Sequence, residues 1–250
     1  MKKLRIIWGL VVLLYGTAYA QSIVIGVAQS HPPFSKQTDS VPHFTGFEIE
    51  LMHEICTRLK LTCSYKAVFG NKIIPALETG KIDLALNMII IPKFRLFGLM
   101  LSLPYLPSNG RFLVLKDAAI DDVSDIVKKT IGIRLGAYQV NVESNIYIHH
   151  MFGDKVSVKG YETDADLLTG LAHHEVSAAF LNQYSAHYWH TASKGEYKYV
   201  GKTRKIGDGY GIMAKRNHKK LMLQINATIK KIMADGTYDT MYQRYLSRFQ

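Results

Sequence analysis

IIPALETGKIDLALNMIIIPKFRLFGLMLSLPY, residues 73–105, is the stretch from which the rest of the chain can be read. Asn71 stands where the cap of a short helix through Glu78 belongs, and Pro75 is tolerated because it lies near the first turn. Gly80 supplies a left-handed exit. Residues 82–86 (IDLAL) hold one charge in five and predict a short buried strand. Asn87 ends that strand, and Pro92 opens a segment that carries Arg95. The order is helix, glycine turn, buried strand, then a loop with an arginine at the strand's carboxyl end. In open α/β sheets ligands bind just outside such ends. A guanidinium there suits a carboxylate, because its planar fork matches the two oxygens. The bland alternative is a surface arginine in a loop.

The pattern continues on both sides. Upstream, residues 22–28 (SIVIGVA) predict a strand that ends at the rigid turn His31-Pro32-Pro33-Phe34. Residues 48–59 are amphipathic, with Ile49, Met52, Ile55, Cys56 and Leu59 on one helical face, and 62–69 predict a second strand. Downstream, a strand at 111–116 and a short helix at 121–129 lead to TIGIR (130–134) and Gly136-Ala137-Tyr138-Gln139. That is again strand, glycine turn, helix, the helix over 141–151. A strand at 156–161, a helix at 164–173 and a buried strand at 176–181 ending on Asn182 follow. Residues 208–214 predict a strand, and 221–235 and 238–249 predict helices. Alternating strands and helices predict parallel sheets. The restart near residue 111 predicts two similar lobes, 21–107 with 204–250 and 111–200. The crossings are expected at 107–111 and 199–204.

Bulk properties agree. A chain of 250 residues, 48% hydrophobic and 20% charged, is globular and has length for one large α/β domain or two lobes. The net charge of +11 falls by three, to +8, once Lys2, Lys3 and Arg5 are set aside. The basic residues are scattered and no nucleic-acid motif occurs, so a soluble basic protein is expected rather than a binder of nucleic acid or anionic membrane. Residues 1–5 form a basic start, 6–15 an apolar run too short to span a bilayer, and Ala18-Tyr19-Ala20 a cleavage pattern. A cleaved signal peptide over 1–20, a mature start at Gln21 and a periplasmic location follow, with an uncleaved anchor as the alternative. Export to an oxidising compartment makes a Cys56–Cys63 disulfide the leading expectation, two free thiols the alternative. The adjacent histidine pairs His149-His150 and His173-His174 cannot share one helix face, so no metal site is expected. No cofactor is expected either.

Together these residues resemble the extracellular solute-binding proteins, family 3, of amino-acid ABC transporters, nearest the lysine/arginine/ornithine- and histidine-binding kinds. The resemblance rests on HPPF (31–34), GFEIEL (46–51), the cysteine pair, IIPALETGKIDLAL (73–86), the Pro92–Arg95 spacing, GIRLG (132–136), GDGYGI (207–212) and NATIKKIMADGTYDTMYQRYL (226–246). It implies the type II periplasmic-binding-protein fold: two α/β lobes, a two-strand hinge, one cleft, and no catalysis. It also implies the disulfide, a transient permease partner and a monomer that captures a polar or basic amino acid.

Carried over position by position, Arg95 is expected to clamp the solute's α-carboxylate. Asn87 and Met88 fall on ligand-holding positions, and Ile90 stands where a hydroxyl is usual. Gly136, Ala137, Tyr138 and Gln139 form the second lobe's ligand turn, with Tyr138 in place of threonine. Asn182 replaces an aspartate that holds the ammonium, and its amide carbonyl is expected still to accept from that group. Ala28 replaces an aspartate of the basic-side-chain binders, so Glu48 or another acid has to serve a cationic solute. His31 replaces an aromatic ring, with an exposed turn histidine as the alternative. Phe34 and Phe69 are either cleft faces or ordinary core aromatics. Two other functions stay open: a cyclohexadienyl dehydratase-like enzyme using His31 or Glu48, and a sensory module.

Overall fold

The computed structural model describes residues 21–38, 43–94, 96–137 and 142–249. The signal-peptide reading of residues 1–20 lies outside them, as do Arg95, Tyr138 and Gln139.

Strand Ser22–Val27 is rich in β-branched residues and pairs in parallel with Thr62–Ala67 on one side and Leu84–Ala85 on the other. Its central place explains why Ile23, Ile25 and Val27 are buried. Helix Phe47–Leu59 connects the first two of these strands and turns Phe47, Leu51, Met52, Ile55 and Cys56 inward at helical spacing. Burying one such Leu or Ile stabilises the fold by about 1.5–3 kcal/mol. The helix has no side-chain cap at its start. The carbonyls of Pro33 and Phe34 accept from the N–H groups of Phe47 and Glu48 instead, at 3.1 and 3.0 Å. This close approach requires glycine at 46: φ is 128°, and a Cβ there would collide with the Phe34 carbonyl. The Cys56–Cys63 disulfide ties the helix to strand Thr62–Ala67.

The first sheet runs Thr62–Ala67, Ser22–Val27, Leu84–Ala85, Met213–Lys215, Leu99–Leu101. The second runs Ser157–Tyr161, Thr130–Arg134, Ala178–Asn182, Asn109–Leu115, Tyr197–Lys205. In each, three parallel strands are followed by antiparallel ones. The expectation of wholly parallel sheets therefore holds for three strands of each five. Met213–Lys215 and Asn109–Leu115 follow segments that cross between the lobes, and each enters its sheet from the opposite end. The crossings pair with one another: Ile206 N–H donates to the Ser108 carbonyl at 2.8 Å, and Arg204 and Lys205 face Gly110 and Asn109.

Other elements differ from the reading above. The strand at 82–86 shortens to Leu84–Ala85. Asn71 does not cap: Gly70–Lys72 form a 3-10 turn before helix Ile73–Glu78, and the Asn71 amide reaches Glu162 of the other lobe at 2.5 Å. The helix at 121–129 is one 3-10 turn, Val123–Ile126, capped by Asp122. Helix Gln183–Ala192 (QYSAHYWHTA) is not legible in the sequence, because its aromatics and histidines make no clear apolar stripe.

Candidate functional site

Five parallel strand ends converge on the boundary between the lobes. Ser22–Val27 leads to His31, Leu84–Ala85 to Asn87 and Met88, and Thr130–Arg134 ends on Arg134 itself. Ser157–Tyr161 leads to Asp164 and Ala178–Asn182 ends on Asn182. His31, Met88, Ile90, Arg134, Asp164 and Asn182 line an inter-lobe cavity of about 30 Å³, room for water but not for an amino acid.

The lobes are in contact around it. Asn71 bridges to Glu162, and Gly70 lies so close to the Leu135 carbonyl that a Cβ would collide with it. Ala137 packs with Ile73, Leu77 and Ile89 of the first lobe. Tyr184 of the second lobe sits edge-on to Phe34, ring centroids 5.9 Å apart. This is a closed cleft.

His31 is 1% exposed, so the exposed-turn alternative fails. Its Nε2 lies 3.4 Å from Asp164 Oδ2 and 3.4 Å from Asn182 Nδ2. Burial first, and then the Arg134 charge, lower its pKa to about 3. The imidazole is therefore neutral at neutral pH, and its contact with Asp164 is not an ion pair.

Arg134 closes the cleft from the second lobe. Its Nη2 donates to Asn87 Oδ1 at 2.6 Å, and its Nε lies 3.8 Å from Asp164 Oδ1. Burial lowers its pKa, opposed by the charge of Asp164, but a guanidinium keeps its proton at any physiological pH. Asp164, the first residue of helix Asp164–Ala172, is 1% exposed.

Glu48 is buried behind the cavity wall. Its Oε1 accepts from the Met88 N–H at 2.9 Å and from the Tyr105 hydroxyl. Burial raises its pKa, and those two bonds oppose the rise. It does not line the cavity, and it holds Met88 in a left-handed backbone (φ 50°). The acid that reaches the cleft is Asp164.

Asn182 caps helix Gln183–Ala192. Its Oδ1 accepts from Ser185 N–H at 2.9 Å and its Nδ2 donates to Ser185 Oγ at 2.8 Å. The carbonyl expected to receive an ammonium is thus engaged by the cap. Phe34 is fully buried in the first lobe's core. Phe69 is 53% exposed and lines a separate groove of about 400 Å³ beside Lys66, Lys72 and Lys81. Gly136 is half-buried next to the close contact at Leu135.

Arg134 and Asp164 are not among the site residues that the sequence singles out. A signal for Arg134 is there: TIGIR ends a buried strand in an arginine, the same logic that selects Arg95. Asp164 reads as an ordinary first-turn acid of a helix.

The family model of the bacterial extracellular solute-binding proteins, family 3, matches residues 23–248. The chain belongs to that family. This solute-binding protein is 26% identical over 247 residues to the arginine-binding periplasmic protein of Mannheimia haemolytica, covering 95% of this chain and 97% of the relative. It is 26% identical to the lysine/arginine/ornithine-binding periplasmic protein of Escherichia coli, over 91% and 88% of the two chains. Among solved structures, an arginine 3rd transport system periplasmic binding protein from Legionella pneumophila superposes with a TM-score of 0.82. It is 31% identical, over 91% of this chain and all of the other. The fold is shared along nearly the whole of both chains, and the disulfide expected of an exported chain is formed here between Cys56 and Cys63.

Proposed function

We propose that this solute-binding protein is the periplasmic substrate-binding component of an amino-acid ABC transporter, holding a polar or basic amino acid between its lobes. The observation that carries this reading is the pair Arg134 and Asp164, opposite charges held out of water where strand ends from both lobes meet. Such a pair costs desolvation energy that a zwitterion bound between the lobes can offset. The names of the relatives, arginine- and lysine/arginine/ornithine-binding, support an amino acid as the solute.

In this reading the mature chain starts at Gln21 and acts as a monomer. Residues 21–107 with the chain beyond Lys205 form one lobe and 111–200 the other; the hinge lies at 107–111 and just after Lys205 rather than at 199–204, because Tyr197–Lys205 is one strand of the second sheet. The lobes part to admit the solute, because the closed cavity is too small to receive it. A solute that touches both lobes then favours, by its differential affinity, a form closed around it and wider than the cavity described above, and that form docks on the permease. Arg95 takes the α-carboxylate. No catalytic residue is assigned: Glu48 is engaged by Met88 and Tyr105 and lies off the cavity wall, and burial with the Arg134 charge holds the pKa of His31 at about 3, too low for a base working near neutral pH.

Calorimetric titration of the mature protein with the twenty amino acids and ornithine is expected to give at least one Kd of about micromolar or tighter. Silence across the whole panel overturns the reading, and turnover of prephenate or arogenate favours the dehydratase instead. In the same assay Arg95→Ala is expected to weaken capture at least about tenfold while the folded spectrum survives.

A further inference from the structure

Arg134 and Asp164 are the only formally charged side chains that wall the inter-lobe cavity among the described residues. Both hold unused hydrogen-bonding capacity. Neither Asp164 oxygen has a hydrogen-bond partner among the described residues, although both are buried. Arg134 Nη2 is engaged by Asn87, but its buried Nε has no such partner.

The two groups ask for opposite things. An arginine side chain has donors only, so its unused N–H needs an acceptor. A carboxylate has acceptors only, so Asp164 needs a donor. Two further acids, Glu48 and Glu162, act on Arg134 through their charge and favour its protonated form, but neither lines the cavity or offers it a free acceptor there. Glu48 lies off the cavity wall with Oε1 engaged by Met88 and Tyr105, and Glu162, also off the wall, receives the Asn71 amide. Asn182 turns its oxygen to Ser185 and only N–H groups toward His31.

We propose that Arg134 is a specificity-determining residue of the cleft: it selects an amino acid whose side chain ends in an amide or carboxylate oxygen and excludes a cationic one, while Asp164 receives the ammonium. A basic amino acid brings two cations to a wall with one acid. After the ammonium meets Asp164, the second cation faces the donors and like charge of Arg134 in a site with little water. Like charges juxtaposed in a desolvated contact discriminate strongly between ligands. The inference rests on the amino-acid reading above and narrows it.

The test is calorimetry on the purified mature protein with L-glutamine, L-glutamate, L-arginine and L-lysine. The wild type is expected to bind L-glutamine or L-glutamate at least about tenfold more tightly than either cationic amino acid. Arg134→Met keeps a long apolar stem and removes charge and donors. It is expected to raise L-arginine affinity about tenfold and to lower that of the oxygen-bearing solutes. Arg134→Lys is still a donor-only cation and is expected to keep the exclusion. Asp164→Asn is expected to weaken every ligand that binds. Circular dichroism checks each variant's fold. If Arg134→Met does not fold, the wild-type ranking and Arg134→Lys decide. A wild type that takes L-arginine as tightly as L-glutamine and L-glutamate overturns the inference. So does a folded Arg134→Met with an unchanged ranking, or a folded Asp164→Asn with parental affinity. A wild type that binds some other amino acid but none of these four overturns the inference and leaves the receptor reading standing. A wild type that binds no amino acid overturns the receptor reading.

Discussion

His31 shows how much a single position gains from its surroundings. In the chain it is one of ten histidines, set in a proline turn. In the fold it lies between the lobes, facing Asp164 and Asn182, with Arg134 near enough to oppose its protonation. Its folded pKa of about 3 is below the unfolded value of 6.5. The unfolded chain therefore binds the proton more readily, and the stability that neutral His31 contributes is full above pH 6.5 and lost as pH falls toward 3. By pH 5 the folded protein is expected to lose about 2 kcal/mol of stability from this group. Melting temperature measured across that range should fall more steeply in the wild type than in His31→Gln. Parallel curves would show that the ring does not carry the effect.

At the scale of elements, the helix Phe47–Leu59 is legible because its apolar residues recur at a period that few other structures share. The disulfide fastens its last turn to the next strand. Closing so short a loop is worth about 2–3 kcal/mol in the chain-entropy model, and Cys56→Ser with Cys63→Ser is expected to lose about that much in urea unfolding. A smaller element explains a harder case. Asn182 is the last residue of its strand and also the cap of the helix that follows, so its amide oxygen serves the backbone and not the cleft. Residue type and strand position tell where Asn182 is but not which of its atoms is left over, because that depends on a helix whose pattern is weak. Asn71 goes the same way in reverse: a good cap by type, drawn instead across the cleft to Glu162.

The whole molecule works by the fit of one lobe against the other. Gly70 is a close point of that fit, with the Leu135 carbonyl where a side chain would begin. Gly70→Ala is expected to raise the solute Kd about tenfold by penalising closure, with little change in melting temperature in the absence of solute. Small-angle scattering should show a larger radius with solute present than in the wild type, and an unaltered Kd would show that the contact yields at no cost. Sequence alone determined the two-lobe α/β architecture, because alternating buried strands and amphipathic helices leave few ways to cover both faces of a sheet, and that pattern repeats near residue 111. It also determined the family, since motifs spread in order over the chain carry that signal. Only the tertiary structure decided which charges meet. Arg134 and Asp164 are thirty residues apart and belong to separate strand–helix units, and each alone looks like a surface group. Folding brings them within 3.8 Å and out of water, and an interaction that depends on distance and desolvation has no signature along the chain.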